Sequence, residues 1–110
     1  MNEKQIRVYR TQNNKEPFND WLKKVKQTTD QMRIRQRIDR LSLGNYDDCK
    51  LVSKNLYELR CHFSSGYRIY FTERNQDIVV LLIGGNKSSQ AKDIEKAQAY
   101  LKNLEERSYE

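Results

Sequence analysis

Apolar and polar positions change their period twice along this 110-residue chain. Ile6 and Val8, with Arg10 at the margin, alternate with Arg7 and Tyr9, which predicts a short strand with one covered face. From Glu16-Pro17 the period becomes helical. Proline suits a first helical turn, and Phe18, Trp21, Leu22 and Val25 form one stripe. Thr29-Asp30 offers a cap for a second helix whose apolar positions are Ile34, Ile38 and Leu41, with Gly44 as its stop. Helices so closely joined predict a helical hairpin, with Trp21 in its core.

Beyond Lys50 the period is two. Tyr57, Leu59, Cys61 and Phe63 alternate with Glu58, Arg60 and His62; after Ser64-Ser65-Gly66, Tyr67, Ile69 and Phe71 alternate with Arg68, Tyr70 and Thr72. This predicts an antiparallel hairpin. Matching apolar to apolar positions sets Phe63 opposite Tyr67, Cys61 opposite Ile69 and Leu59 opposite Phe71, around a three-residue loop ending at Gly66. The other face then carries His62 opposite Arg68 and Arg60 opposite Tyr70, so that Arg60 and Arg68 are diagonal neighbours on an open sheet face. Ile78 to Ile83 is apolar throughout and predicts an interior strand. A last helix is expected from about Ser89, packing through Ile94, Ala97, Leu101 and Leu104, with Gln90 and Asp93 shaping its start. The order predicts one α+β domain over residues 1–110, with an N-terminal strand, a helical hairpin and a C-terminal helix gathered on an antiparallel sheet.

Composition narrows the function classes. No apolar run is long enough for a transmembrane helix, and no signal-peptide stretch follows Met1, so a cytoplasmic protein is expected. Cys49, Cys61 and the single His62 cannot complete a structural zinc site, and the two cysteines are expected as reduced packing residues. No metal or other cofactor is expected. Residues 1–44 hold 11 of the 21 Lys/Arg but 5 of the 15 Asp/Glu, whereas the remainder is balanced. Arg33, Arg37 and Arg40 repeat the spacing of Ile34, Ile38 and Leu41 one position earlier, an arginine stripe about 100° from the buried one. Lys23, Lys24 and Lys26 add charge on the first helix. Such a surface suits a phosphate backbone or an acidic partner, and a merely solvated face gives the same count.

P-loop, G-x-S-x-G and H-E-x-x-H signatures are absent from the sequence. What remains is Arg60, Arg68, Tyr70 and His62 on one predicted face, with Lys54 and Lys87 at its rim. Converging cations suit a phosphodiester whose transition state gathers negative charge, and an aromatic ring can stack an unpaired base. A sheet face charged against aggregation fits the same pattern.

The stretch LYELRCHFSSGYRIYF (Leu56–Phe71), followed by VVLLIGGNKSSQAKDIEKAQAYL (Val79–Leu101), resembles the RelE/ParE superfamily of toxins from bacterial toxin–antitoxin pairs, and within it the HigB-like addiction-module-killer branch, also met in phage-derived genes. The resemblance implies a RelE-like fold and a metal-independent endoribonuclease that cuts messenger RNA on the ribosome, using the RNA's 2′-hydroxyl as nucleophile. It makes Arg68 a catalytic position, Arg60 a basic catalytic side chain, and Lys87 a basic position near the site. Where some relatives carry a proton-transfer tyrosine on the terminal helix, this chain has Ile94. His62 becomes the candidate for that role, with Tyr70 and Glu58 as other possibilities. Lys23, Lys24, Lys26, Arg33, Arg37, Arg40 and Lys54 are the expected RNA and ribosome contacts. The implied partner is a cognate antitoxin with a helix-turn-helix domain. The alternative is a ParE-like, non-enzymatic inhibitor of DNA gyrase.

Overall fold

A computed structural model describes residues 3–107. Its organising element is the all-apolar run, which forms strand β5 (Ile78–Gly85), with residues 79–85 buried. Strands β1 (Gln5–Val8), β2 (Cys49–Ser53), β3 (Leu56–Arg60) and β4 (Arg68–Arg74) complete a sheet in the order β1-β5-β4-β3-β2. β1 lies parallel to β5, and the other neighbours are antiparallel. The expectation of a purely antiparallel sheet is therefore corrected at one edge. The helical segment between β1 and the rest carries the chain over the sheet, which is what parallel pairing requires.

Helices cover both faces. α1 (Pro17–Lys24) and α2 (Thr28–Ser42) bury Phe18, Leu22, Ile34, Ile38 and Leu41 against Leu59, Ile69, Phe71, Val79 and Leu81. α3 (Gln90–Arg107) buries Ala97 and Leu101 on the opposite face, against Leu56, Tyr70, Val80 and Leu82. This double cover explains why β5 has no polar alternation. The sheet face expected to be open is thus roofed along much of its length by α3.

Local signals are kept or displaced for identifiable reasons. Pro17 starts α1. α2 begins at Thr28 with no side-chain cap, because Asp30 turns inward instead. Before α3, Asn86 accepts from the Ser88 and Ser89 amides while Ser89 Oγ accepts from the Asn86 amide, a capping box on the short 3-10 turn Lys87–Ser89. Gly84 and Gly85 allow close approach: a Cβ at Gly84 would stand 2.3 Å from the Trp21 ring, and one at Gly85 would stand 1.8 Å from an Asp93 carboxylate oxygen.

The β3–β4 register differs from the expected one by two residues. Leu59 pairs with Ile69, Glu58 with Tyr70, and Arg60 directly with Arg68. A shift of two keeps every side chain on its face, so the hydrophobic pattern does not resist it. It lengthens the connection. The Cys61 amide bonds Tyr67 O at 2.8 Å and the Gly66 amide bonds Phe63 O at 3.1 Å, with Ser64 and Gly66 both left-handed. Asp30 on α2 holds this longer loop, accepting from Ser64 Oγ at 2.9 Å and from Tyr67 OH at 2.8 Å.

Candidate functional site

At the β3–β4 end of the sheet, on the α3 face, stands a carboxylate with no solvent exposure, Glu58. Each of its oxygens accepts twice. Oε1 receives Arg60 Nε and Arg68 Nη1, both at 3.2 Å. Oε2 receives Tyr70 OH at 2.9 Å and Gln90 Nε2, from the first turn of α3, at 2.8 Å. Lys50 on edge strand β2 adds a longer ion pair at 3.9 Å. Burial alone would raise the Glu58 pKa; hydrogen bonds from Gln90, Tyr70 and Arg60 and the charge of Arg68 outweigh it and hold the carboxyl below its ordinary range. Glu58 is therefore an anion fixed between two guanidiniums. Tyr70, wholly buried, has its pKa raised by burial and by its bond to that carboxylate.

The two arginines are not equivalent. Arg60's side chain is 36% exposed and reaches solvent, whereas Arg68's is 12% exposed. Arg68 Nε is buried without a hydrogen-bond partner. Arg60 can thus touch a ligand directly, while Arg68 stands behind it. Lys87 is exposed beside the loop; a Cβ at Gly66 would stand 3.7 Å from its own.

Several expected placements are corrected. His62 does not face Arg68. The longer loop lifts it out of the ladder, where its exposed imidazole meets Asp48, the residue whose carbonyl accepts the Arg60 amide at 3.1 Å. Tyr70 lies sealed beneath α3 and presents no ring for a base to stack on. Arg37 is buried and donates to the Asn45 and Asp47 carbonyls, fastening the chain that leaves α2, so it is no part of an exposed stripe. Lys54 sits in the β2–β3 turn, at the far end of β3 from Arg60. Lys23, Lys24, Lys26, Arg33 and Arg40 are exposed as expected. Arg33 lies over the Phe63 ring at 5.5 Å, and with Arg40 and Phe63 it lines a cleft of about 460 Å³ between α2 and the loop.

Lys50 and Asp48 carried no sequence signal, and Gln90 and Asp30 were expected only at helix starts; the fold brings these three separate segments to Glu58, His62 and the loop. Asp93, expected to shape the start of α3, accepts from Ser89 Oγ at 2.5 Å above Gly85. Cys49 and Cys61 are free thiols whose pKa burial pushes up to about 11, as suits packing residues. Among the described residues, no three His, Cys, Asp or Glu side chains gather as a metal-holding group, and no helix is long and apolar enough to cross a membrane.

Chemically, the arrangement offers one solvent-reaching guanidinium beside a largely covered one, an ammonium near the loop, and an imidazole oriented by a carboxylate. Such groups can bind an oxyanion and move a proton. Two comparisons with known proteins each cover most of the chain. An uncharacterized protein of Haemophilus influenzae is 41% identical over 87 residues, spanning 79% of this chain and 88% of its own length. Residues 20–105 match the family described as phage derived protein Gp49-like (DUF891), a span that includes both helical layers, the Glu58 cage and the loop. The chain belongs to the Gp49-like family, a toxin-like family of toxin–antitoxin systems.

Proposed function

We propose that this chain is a RelE-like toxin that cuts messenger RNA on the ribosome and is neutralised by a cognate antitoxin. The observation that supports this reading is the direct cross-strand pairing of Arg60 and Arg68 on one Glu58 oxygen. Glu58 fixes both guanidiniums before any RNA arrives, so the charge that develops on a cleaving phosphodiester meets preorganised donors. In this reading Arg60 contacts the phosphate, Arg68 and Gln90 hold the frame, and Lys87 meets a neighbouring phosphate. His62, with Nε2 directed at Asp48, has Nδ1 left to take the 2′-hydroxyl proton. The attacking oxygen forms a cyclic phosphate as the bond to the 5′-oxygen breaks, and that oxygen leaves as a hydroxyl with a proton taken from water. Arg33, Arg40 and the lysines of α1 would bear on the surrounding RNA.

Primer extension on a message translated in a bacterial extract tests this. New 5′ ends at A-site codons are expected on adding the protein. Blocked translation with an intact message would overturn the ribonuclease reading. One observation favours a second reading: both arginines are tied to Glu58 and Arg68 is mostly covered, as in a structural ion-pair cage. A gyrase-binding inhibitor of the same fold needs only a contact surface, and a DNA supercoiling assay separates the two.

A further inference from the structure

On the α1–α2 face of the sheet, a pocket of about 390 Å³ opens between the end of α1 and residues 64–67 of the β3–β4 loop. Trp21 and Tyr67 form its aromatic side. Both rings are partly exposed, 5.9 Å apart and inclined at 72°. Trp21, expected in the core, lies against Gly84, where no side chain takes its place, and still reaches the pocket. Asp30 fixes Tyr67 by accepting from its hydroxyl at 2.8 Å. That carboxylate is 4% exposed and accepts from Ser64 as well, so it presents no free anion. Lys24 and Lys26, both exposed, also line the pocket, as does Asn86. The next ring, Phe63, is 5.7 Å from Tyr67 but carries the Arg33 guanidinium at 5.5 Å, so Trp21 and Tyr67 make the open corner. The ends of the described chain stand away from it. Arg107 is at the far end of α3 from Gln90, about 27 Å along 18 residues. Lys4 is tied to Ser42 O, about 18 Å along α2 from Asp30.

We infer that this pocket holds one unpaired base of a single-stranded RNA. Two rings set at a steep angle form a corner in which a base lies flat on one and meets the other with its edge, and both contacts are favourable. Ammonium groups beside such a corner take the flanking phosphates. The pocket is continuous with the Glu58 cage. Gly85 pairs with Arg68, Asn86 lines the pocket, and Lys87 follows, so a strand held by Arg60 on the α3 face need only turn around the end of the sheet. Ser64, Ser65 and Asn86 make part of the lining polar, which suits a planar group with polar edges better than the aliphatic side chain of a partner protein. The inference rests on the ribonuclease reading for the identity of the RNA, and gives the message a base subsite beside its scissile phosphate.

Trp21 is the chain's one tryptophan, so its fluorescence reports on the pocket directly. Oligoadenylate titrated into the full chain without ribosomes is expected to quench Trp21 emission along the same curve as the anisotropy of the labelled oligonucleotide. Inorganic polyphosphate of equal charge should bind without quenching. Tyr67→Leu should weaken oligoadenylate binding about fivefold or more and leave polyphosphate binding unchanged, whereas Tyr67→Phe, which keeps the ring, should bind as wild type. No binding of oligoadenylate, binding without quenching, or equal quenching by polyphosphate sinks the assignment, and none of these needs a variant to fold. Quenching by an alternating Asp/Leu peptide at lower concentration than by oligoadenylate hands the pocket to a protein partner and equally sinks it. These readouts are separate from cleavage. Absent quenching with A-site cutting intact removes this subsite alone; quenching with an intact message keeps the subsite and removes the ribonuclease reading.

Discussion

Removing the Glu58 carboxylate leaves two guanidiniums, a phenol and an amide without their acceptor. Glu58→Ala should therefore cost about 3–5 kcal/mol, read as a lower urea midpoint. The pH dependence has a definite sign. The folded carboxyl lies below its ordinary value of 4.5, so its contribution is complete above that pH and fades as pH falls toward the folded value, where the folded state is protonated too. As pH falls below that ordinary value, wild type should lose stability more steeply than Glu58→Gln, which lacks this titration. A second residue-scale prediction concerns Gly84. An added methyl must displace the Trp21 ring, so Gly84→Ala should cost about 1–3 kcal/mol. Combined with Trp21→Ala, it should cost less than the two changes summed, because the clash is then gone.

At the scale of elements, α2 puts to different uses three side chains that look alike in sequence. Arg33 and Arg40 face solvent, and Arg37 holds two carbonyls below the surface. Arg37→Ala should destabilise by about 1–3 kcal/mol through those unsatisfied acceptors. Arg33→Ala/Arg40→Ala should leave the melting temperature nearly unchanged and instead flatten the salt dependence of RNA binding by about 1.4 in log–log slope. α2 also governs the β3–β4 loop through Asp30. In Asp30→Ala, Ser64 and Tyr67 lose their acceptor, and the Cys61 and Gly66 amides should exchange about tenfold faster or more while β5 amides keep their protection.

Across the whole molecule, the sheet separates two arginine groups by most of a strand's length. One is braced by a buried carboxylate at the loop end; the other gathers at the β1 edge. If the loop end carries RNA cleavage, Arg60→Ala should lower the cleavage rate about 10²–10³-fold with the fold intact, and Arg7→Glu/Arg10→Glu should leave the rate unchanged. Single-turnover cleavage on programmed ribosomes checks both. The positive charge counted in residues 1–44 thus divides in space, with Arg7 and Arg10 going to that edge and Arg33 and Arg40 to the RNA-facing side in this reading.

Periodicity in the sequence was enough to specify the three helices, four of the five strands, their order and which side chains share a face, because these follow from local spacing and the burial of apolar groups; edge strand β2 escaped it. It also placed Arg60, Arg68 and Glu58 on one face. Register was not legible, since a slip of two residues preserves every facing, and it was Asp30, distant in sequence, that favoured the longer loop and freed His62 to meet Asp48. The parallel partner of β1, the roof that α3 lays over Tyr70, the burial of Arg37, and the meeting of Gln90 and Lys50 at Glu58 are likewise tertiary. They depend on long-range packing and on where a buried charge finds its partners, which no local pattern records.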